Sequence, residues 1–528
     1  MSDLLHSLIL TSANARPDKS ALIHKGNQHS YAELAANMEQ AANGLLAHGL
    51  LSDERVGVYL PKLPESVTTF FATTLAGGVF VPINPLLKAA QVGYILQDCN
   101  VRVLVTSKDR YKQLAETLES CHDLHTIVLV NCSEENLPQK RDFNFLSWQQ
   151  LLDSDHANIA KSRIDTDMAA ILYTSGSTGK PKGVVLSHKN MVSGARSVAQ
   201  YLNNTAEDKL LAVLPFSFDY GFSQLSTAFH AGASVMLMDY LLPRDVIKAI
   251  AKTQITGLAG VPPLWNQLAQ LEWPAEAVDS LRYMTNSGGA MPKATLQQLR
   301  SALPNSDFYL MYGLTEAFRS TYLPPQEIDK RPDSMGKAIP NTEIMVVRED
   351  GSPCAPGEPG ELVHRGSLVA MGYWNDPAKT AERFKPTPGQ NKALTLNEIA
   401  VWSGDSVKMD EEGYLYFIGR KDDMIKTSGY RVSPTEIEEV IYSSKLVGEV
   451  VALGISHPTL GQGILVVATA SKDTELDGDA IINLCKKELP NFMVPLAVEK
   501  VDSLPRNPNG KIDRKLLSNE YQDIFQQA

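Results

Sequence analysis

Between residue 30 and about residue 320 helical and strand-like periods alternate, and this alternation limits what the chain can fold into more than any other feature. Helical spacing over 31–46 and 65–76 is interleaved with strand-like runs at 56–60 and 79–83. Further strands are predicted at 101–106, 126–130, 210–214, 235–238 and 283–286. Such alternation builds α/β layers. From about 341 to 419 the pattern shifts to short strands separated by turn signals such as Asp350-Gly351 and Gly357-Glu358-Pro359-Gly360, which predicts an antiparallel β subdomain. Beyond Gly419 a charged segment leads to a helix at 434–442, strands near 450–455 and 463–468, and a helix around 480–489. A chain of 528 residues is too long for one core. The expected fold is therefore α/β. A large N-terminal domain over 1–419 holds two layered α/β subdomains and the antiparallel part, and a small α+β C-terminal domain follows over 420–528.

With 49 Lys+Arg against 60 Asp+Glu, the net charge of -11 disfavours nonspecific attraction to nucleic acid or an anionic membrane face, so local lysines must carry any phosphate chemistry. Cys99, Cys121, Cys132, Cys354 and Cys485 are scattered and lack metal-ligand spacing, which suits a reducing cytoplasm without structural zinc. The leading Leu4-Leu5 and Leu8-Ile9-Leu10 are broken by His6 and Ser7 and follow an acidic residue, unlike a signal peptide. No apolar stretch approaches the length that spans a bilayer, so no membrane insertion is expected.

The segment Thr174-Ser175-Gly176-Ser177-Thr178-Gly179-Lys180-Pro181-Lys182-Gly183 concentrates hydroxyls, glycines and two lysines between strand-like runs at 169–173 and 184–186. Glycines let the backbone approach an anion, hydroxyls donate to it, and lysines neutralise it. The spacing and the following strand differ from a Walker loop, which opens a helix. A phosphate cradle is one reading of this loop and a flexible polar hairpin the other.

Five further segments join it. Tyr312-Gly313-Leu314-Thr315-Glu316 puts a hydroxyl beside a carboxylate after the strand-like 308–310, at a strand end where α/β sites collect, or else caps a helix with an acidic first turn. Ser287-Gly288-Gly289-Ala290, small enough for a flat base to lie against, ends another strand and could equally be a turn. Trp402-Ser403-Gly404-Asp405 offers an acceptor in a tight loop. The charged run at 419–431 reads as a solvated linker, and Lys511 lies among Pro505, Asn507, Pro508, Asn509 and Gly510, on a turn rather than a helix.

In this order and spacing the six segments resemble the AMP-forming adenylating enzymes, namely acyl-CoA synthetases, carrier-protein-loading adenylation domains and luciferases, across essentially the whole chain. The resemblance implies that residues 174–179 and Lys182 cradle the ATP phosphates. Gly288, Gly289 and Ala290 border the adenine, with Tyr312 and Gly313 in the same nucleotide site. Thr315 contacts the α-phosphate, Glu316 holds Mg²⁺, and Asp405 binds the ribose. Arg420 meets ribose or phosphate. Asp422 is the pivot of a mobile C-terminal domain, Lys426 lies near the thiol-transfer surface, Gly429 lines the pantetheine path, and Lys511 bridges substrate carboxylate and phosphate. Residues 311–325 and 424–436 are most similar to stand-alone acyl-CoA ligases associated with exosortase and exopolysaccharide systems, which suggests a secondary or cell-envelope pathway.

For the acid, Phe218 matches a position that gates the pantetheine channel in such ligases. Asp219 resembles the carboxylate that pairs with the substrate ammonium in amino-acid-activating relatives, and its other reading is a helix N-cap or the partner of a local donor. Arg319 could answer a second substrate carboxylate, and Val261 and Pro262 suit a stiff pocket wall. The implied activity is a two-step acid:thiol ligase using ATP and Mg²⁺, with CoA or the phosphopantetheine arm of an acyl or peptidyl carrier protein as acceptor. A stand-alone amino-acid adenylation enzyme is the alternative. A luciferase shares the backbone motifs and is the less favoured reading, and a noncatalytic nucleotide sensor would have no need of Glu316, Asp405, Arg420 and Lys511, all of which are present.

Overall fold

The structure is a computed structural model. It describes the chain except residues 1–2, 140–142, 156–162, 175–180, 392, 421–422, 428–429, 458–459, 472–474, 490, 509 and 527–528, and the side chains of residues 426, 430 and 431. Three sheets organise it. In the first, Arg55–Tyr59, Val79–Pro82, Val101–Ser107, Thr126–Val130 and Asn144–Ser147 run parallel, and the antiparallel hairpin Met168–Thr174/Lys182–Ser187 closes one side. The second is built on the parallel strands Lys209–Ala212, Ser234–Leu237, Gly257–Gly260, Tyr283–Asn286 and Asp307–Tyr312. The third holds Val447–His457 and Gly461–Ala470 in a smaller C-terminal domain. The strands predicted from periodicity are present with ends displaced by a few residues at most.

Helices sandwiched between the first two sheets form the main core. Asp219–Ala231 is buried along most of its length, and its Phe222 stacks on Phe80 at 5.0 Å while Phe229 meets Phe71 edge-on at 5.3 Å. Tyr31–Ala47 starts where it does because Ser30 Oγ accepts the Glu33 amide at 3.1 Å and Glu33 Oε2 accepts the Ser30 amide at 2.7 Å.

The antiparallel part does not stand as a separate sheet. Ser334–Ala338 pairs with Thr321–Leu323 on one side and Leu415–Arg420 on the other, so it extends the second α/β sheet. That pairing joins segments far apart in sequence and carries no local signal. No helix among the described residues is long and apolar enough to cross a membrane.

Candidate active site

In the second sheet Gly260, Asn286 and Leu310 stand in register, so their strands release three loops on one side. These loops carry Val261-Pro262, Ser287 to Ala290, and Gly313 to Glu316, at the carboxyl ends of parallel strands, where open α/β sheets bind ligands. Pro262 opens the short helix Pro262–Leu268, whose first turn tolerates the missing amide. Gly288 has φ +80°, and a β-carbon there would come 3.3 Å from Lys511 Cε and 3.5 Å from Val261 Cγ1. Gly289 and Ala290 are exposed on the same loop, with Asn286 Nδ2 donating to the Gly289 carbonyl at 3.0 Å.

Lys511 comes from the C-terminal domain. It rides a turn in which its amide donates to Asn507 Oδ1 at 3.1 Å and the Asn507 amide returns to the Lys511 carbonyl at 2.8 Å. The turn is docked on the N-terminal domain by Asn84 Nδ2, which donates to the Pro508 carbonyl at 2.6 Å. Lys511 Nζ then lies 5.7 Å from the centroid of the Phe218 ring. Its side chain keeps solvent contact, yet lost hydration in the cleft holds its pKa below the ordinary lysine value, with Asp219 pulling the other way.

The helix Asp219–Ala231 begins at Asp219 itself, but the carboxylate does not cap it. Asp219 Oδ1 accepts from Thr315 Oγ1 at 3.0 Å and Oδ2 from Arg319 Nη1 at 3.3 Å, all three side chains being buried. The local-donor reading of Asp219 is thus the one realised in this structure. Burial raises its pKa, opposed by Arg319, Thr315 and Lys511.

On the far side of Thr315, Glu316 is half-buried, and its Oε1 accepts the Tyr373 hydroxyl at 2.6 Å. Tyr373 lies on a short strand against Lys182–Ser187, and Lys182 Nζ sits 5.4 Å from its ring centroid. Thr174 and Lys182 face each other across the hairpin, so the base of the hydroxyl-rich loop is carried to Glu316. The tip, Ser175, Gly176, Ser177, Thr178 and Gly179, lies outside the described residues, as do Asp422, Gly429 and the side chain of Lys426.

Asp405 completes the cleft. It is buried, its Oδ2 accepts the Tyr312 hydroxyl, and its Oδ1 accepts Arg420 Nε at 3.2 Å. Burial raises its pKa while Arg420 opposes the shift. Gly313 packs toward Arg319, where a β-carbon would sit 3.4 Å from Arg319 Cα. Two contributors were not foreseen from sequence. Tyr373 and Asn84 have no local motif, and both act through partners more than fifty residues away in the chain.

A glycine-flanked nucleotide cleft at strand ends, with a lysine delivered from a second domain, defines an adenylate-forming enzyme. Residues 9–374 match the family model described as AMP-binding enzyme, and residues 436–511 match the AMP-binding enzyme C-terminal domain. The chain belongs to the AMP-binding enzyme family. It is 28% identical over 541 residues to a long-chain-fatty-acid–CoA ligase of Bacillus subtilis, covering 98% of this chain and 94% of that protein. It is 30% identical over 524 residues to tyrocidine synthase 1 of Brevibacillus parabrevis, covering 97% of this chain but only 44% of that longer protein. Among solved structures, ATP-bound MatB from Rhodopseudomonas palustris superposes with a TM-score of 0.87 at 26% identity, over 99% of this chain and 100% of the other.

Proposed function

We propose that this protein is an AMP-forming acid:thiol ligase. It activates a carboxylic acid as an acyl-adenylate and passes the acyl group to a pantetheine thiol of CoA. In the first step a carboxylate oxygen bonds to the α-phosphorus of ATP as pyrophosphate leaves. In the second the thiol sulfur bonds to the acyl carbon as AMP leaves. The observation that carries this reading is Lys511, held by the C-terminal turn beside Phe218, Gly288 and Asp219. A cation there meets the carboxylate and the phosphate oxygens on which charge develops. Thr315 would turn toward the α-phosphate the hydroxyl that donates to Asp219 in this structure, Asp405 would accept from the ribose diol alongside Tyr312 and Arg420, and Arg420 guards the same edge.

The donor set around Glu316 suits Mg²⁺, a hard cation that takes one or two protein carboxylates plus phosphate oxygens. Glu316 offers such a carboxylate, oriented by Tyr373. Mg²⁺ brought with ATP supplies charge neutralisation on the phosphates. In the ensuing thiol step the C-terminal domain would turn about Asp422, withdraw Lys511 and present Lys426 and Gly429 to the pantetheine arm.

The amino-acid alternative, with a carrier protein as acceptor, requires Asp219 to bind a substrate ammonium. The Asp219 charge is already balanced by the buried Arg319 guanidinium, which favours a substrate without an amine. The test is ATP–pyrophosphate exchange on the purified protein with panels of carboxylic and amino acids. Exchange that depends on a carboxylic acid is expected, and none from either panel refutes the ligase.

A further inference from the structure

Arg319 is 1% exposed, yet only Nη1 is partnered; among the described residues its Nε and Nη2 have no hydrogen-bond partner. Leaving such donors bare in a protein interior is costly. The guanidinium lies over the Tyr220 ring at 4.4 Å, and Tyr220 is itself anchored by its hydroxyl to the Thr285 carbonyl at 2.8 Å. The turn that sends Arg319 inward is a costly one. Phe318 has φ +54°, which bulky residues rarely adopt, and its ring fills the space that a β-carbon on Gly194 would occupy. Against Arg319 lies a cavity of about 10 Å³, its wall partly polar, from Ser223, Gln224 and Thr227, and partly apolar, from Leu202 and Leu210. That is room for about one water-sized group.

We propose that Arg319 is a specificity-determining residue, selecting a short acid that carries one neutral acceptor oxygen, a hydroxyl or carbonyl, on its chain. Three observations converge on this class. The open valences are donors, so the ligand group accepts. Asp219 already balances the guanidinium, so a neutral group leaves no uncompensated charge. The space takes an oxygen but not a carboxylate. The substrate carboxylate would lie at Lys511 and Thr315, on the near side of Asp219. This inference rests on the ligase reading above and narrows its substrate.

The test compares exchange kcat/KM for unbranched acids with their length-matched hydroxy and oxo derivatives, dicarboxylic acids and amino acids. Wild type and the Asp219→Asn/Arg319→Met double variant are both assayed, with acid-dependent thermal stabilisation as a second readout. A preference of about tenfold or more for hydroxy or oxo acids is expected in wild type, because a site with buried donors rejects analogues lacking the acceptor. The double variant should lose that preference, its kcat/KM falling further for hydroxy and oxo acids than for the unsubstituted acids of the same length. Equal or better use of unsubstituted acids overturns the proposal, as does a preference for dicarboxylic or amino acids, or a preference that survives in the double variant. If the variant does not fold, the wild-type ratio alone decides. If no acid supports exchange the ligase reading fails. In that case thermal stabilisation by hydroxy or oxo acids still upholds the pocket assignment, and its absence overturns it.

Discussion

Tyr373 donates its hydroxyl to Glu316 Oε1 at 2.6 Å while its ring lies 5.4 Å from the ammonium of Lys182. One side chain thereby links the base of the hydroxyl-rich hairpin to the carboxylate assigned to the metal, although sequence puts all three in different segments. Tyr373→Phe keeps the ring and removes the hydroxyl. It should raise the Mg²⁺ concentration needed for half-maximal exchange about fivefold, the worth of one hydrogen bond, with little change in thermal stability. Mg²⁺ titration of the exchange reaction checks it, and an unchanged midpoint would show that Glu316 is oriented without Tyr373.

Lys511→Ala should lower acid-dependent pyrophosphate exchange by at least about 100-fold, the order seen when one donor to a developing charge is lost. Thiolysis of a supplied acyl-adenylate should stay within about threefold of wild type, since the proposed domain rotation withdraws the lysine for that step. Equal loss in both assays refutes the assigned role. The depressed pKa of Lys511 adds a pH signature. Its charged form disappears at a lower pH than for an ordinary lysine, so the adenylation rate should fall on the alkaline side while thiolysis shows no such limb.

Asp219→Ala strands the Arg319 charge in the interior and should cost about 3–5 kcal/mol of stability. Replacing the pair together, Asp219→Ala/Arg319→Met, removes both charges and should cost less than either single change. Urea denaturation of the single and double variants gives the coupling directly. Additive losses would mean that the two side chains do not depend on each other.

Asp405→Ala should raise the KM for ATP by about 10–100-fold, as expected for a charge-assisted hydrogen bond to the nucleotide, and leave the KM for the acid near its wild-type value. Initial-rate kinetics in both substrates separate the two. A change confined to the acid would place Asp405 outside the nucleotide site.

Three buried histidines make the fold acid-sensitive. Burial pushes His188 and His364 down to about 3 and His6 to about 4. His188 Nδ1 also accepts the Leu5 amide at 3.0 Å, a bond that protonation of that nitrogen would break. With folded pKa values below the unfolded 6.5, the unfolded chain binds protons that the fold refuses, so their contribution is full above about pH 6.5 and is lost as pH falls toward 4. Unfolding free energy should drop by as much as about 4 kcal/mol per pH unit near pH 5, and His188→Gln should flatten that slope by about one proton. Urea titrations between pH 7 and 4.5 measure it, and a flat profile contradicts the burial argument.

Much of this protein is legible in the sequence because its signals are local. Strand and helix periods, the Ser30–Glu33 capping box and the turn around Lys511 depend on neighbours within a few residues, and all appear in the structure near their predicted places. The motifs at 312–316 and 287–290 were likewise readable at strand ends, whereas 402–405, expected as a tight loop, lies inside the strand Ile399–Met409, where Gly404 at φ +72° bends the ladder. What tertiary structure alone decided is which groups meet. The union of the antiparallel strands with the second sheet arises from long-range pairing through Ser334–Ala338. The role of Asp219 depended on whether a cation lay within reach, and Arg319, brought in by the turn at Phe318, decided it. Tyr373 and Asn84 gained their places the same way, since hydrogen bonds across 57 and 424 residues leave no periodicity in the chain. Sequence thus determined the elements and the chemical inventory of the cleft. Packing determined its charge pairing, because the cost of an unpaired charge depends on burial and on a partner's distance, and both exist only in the folded state.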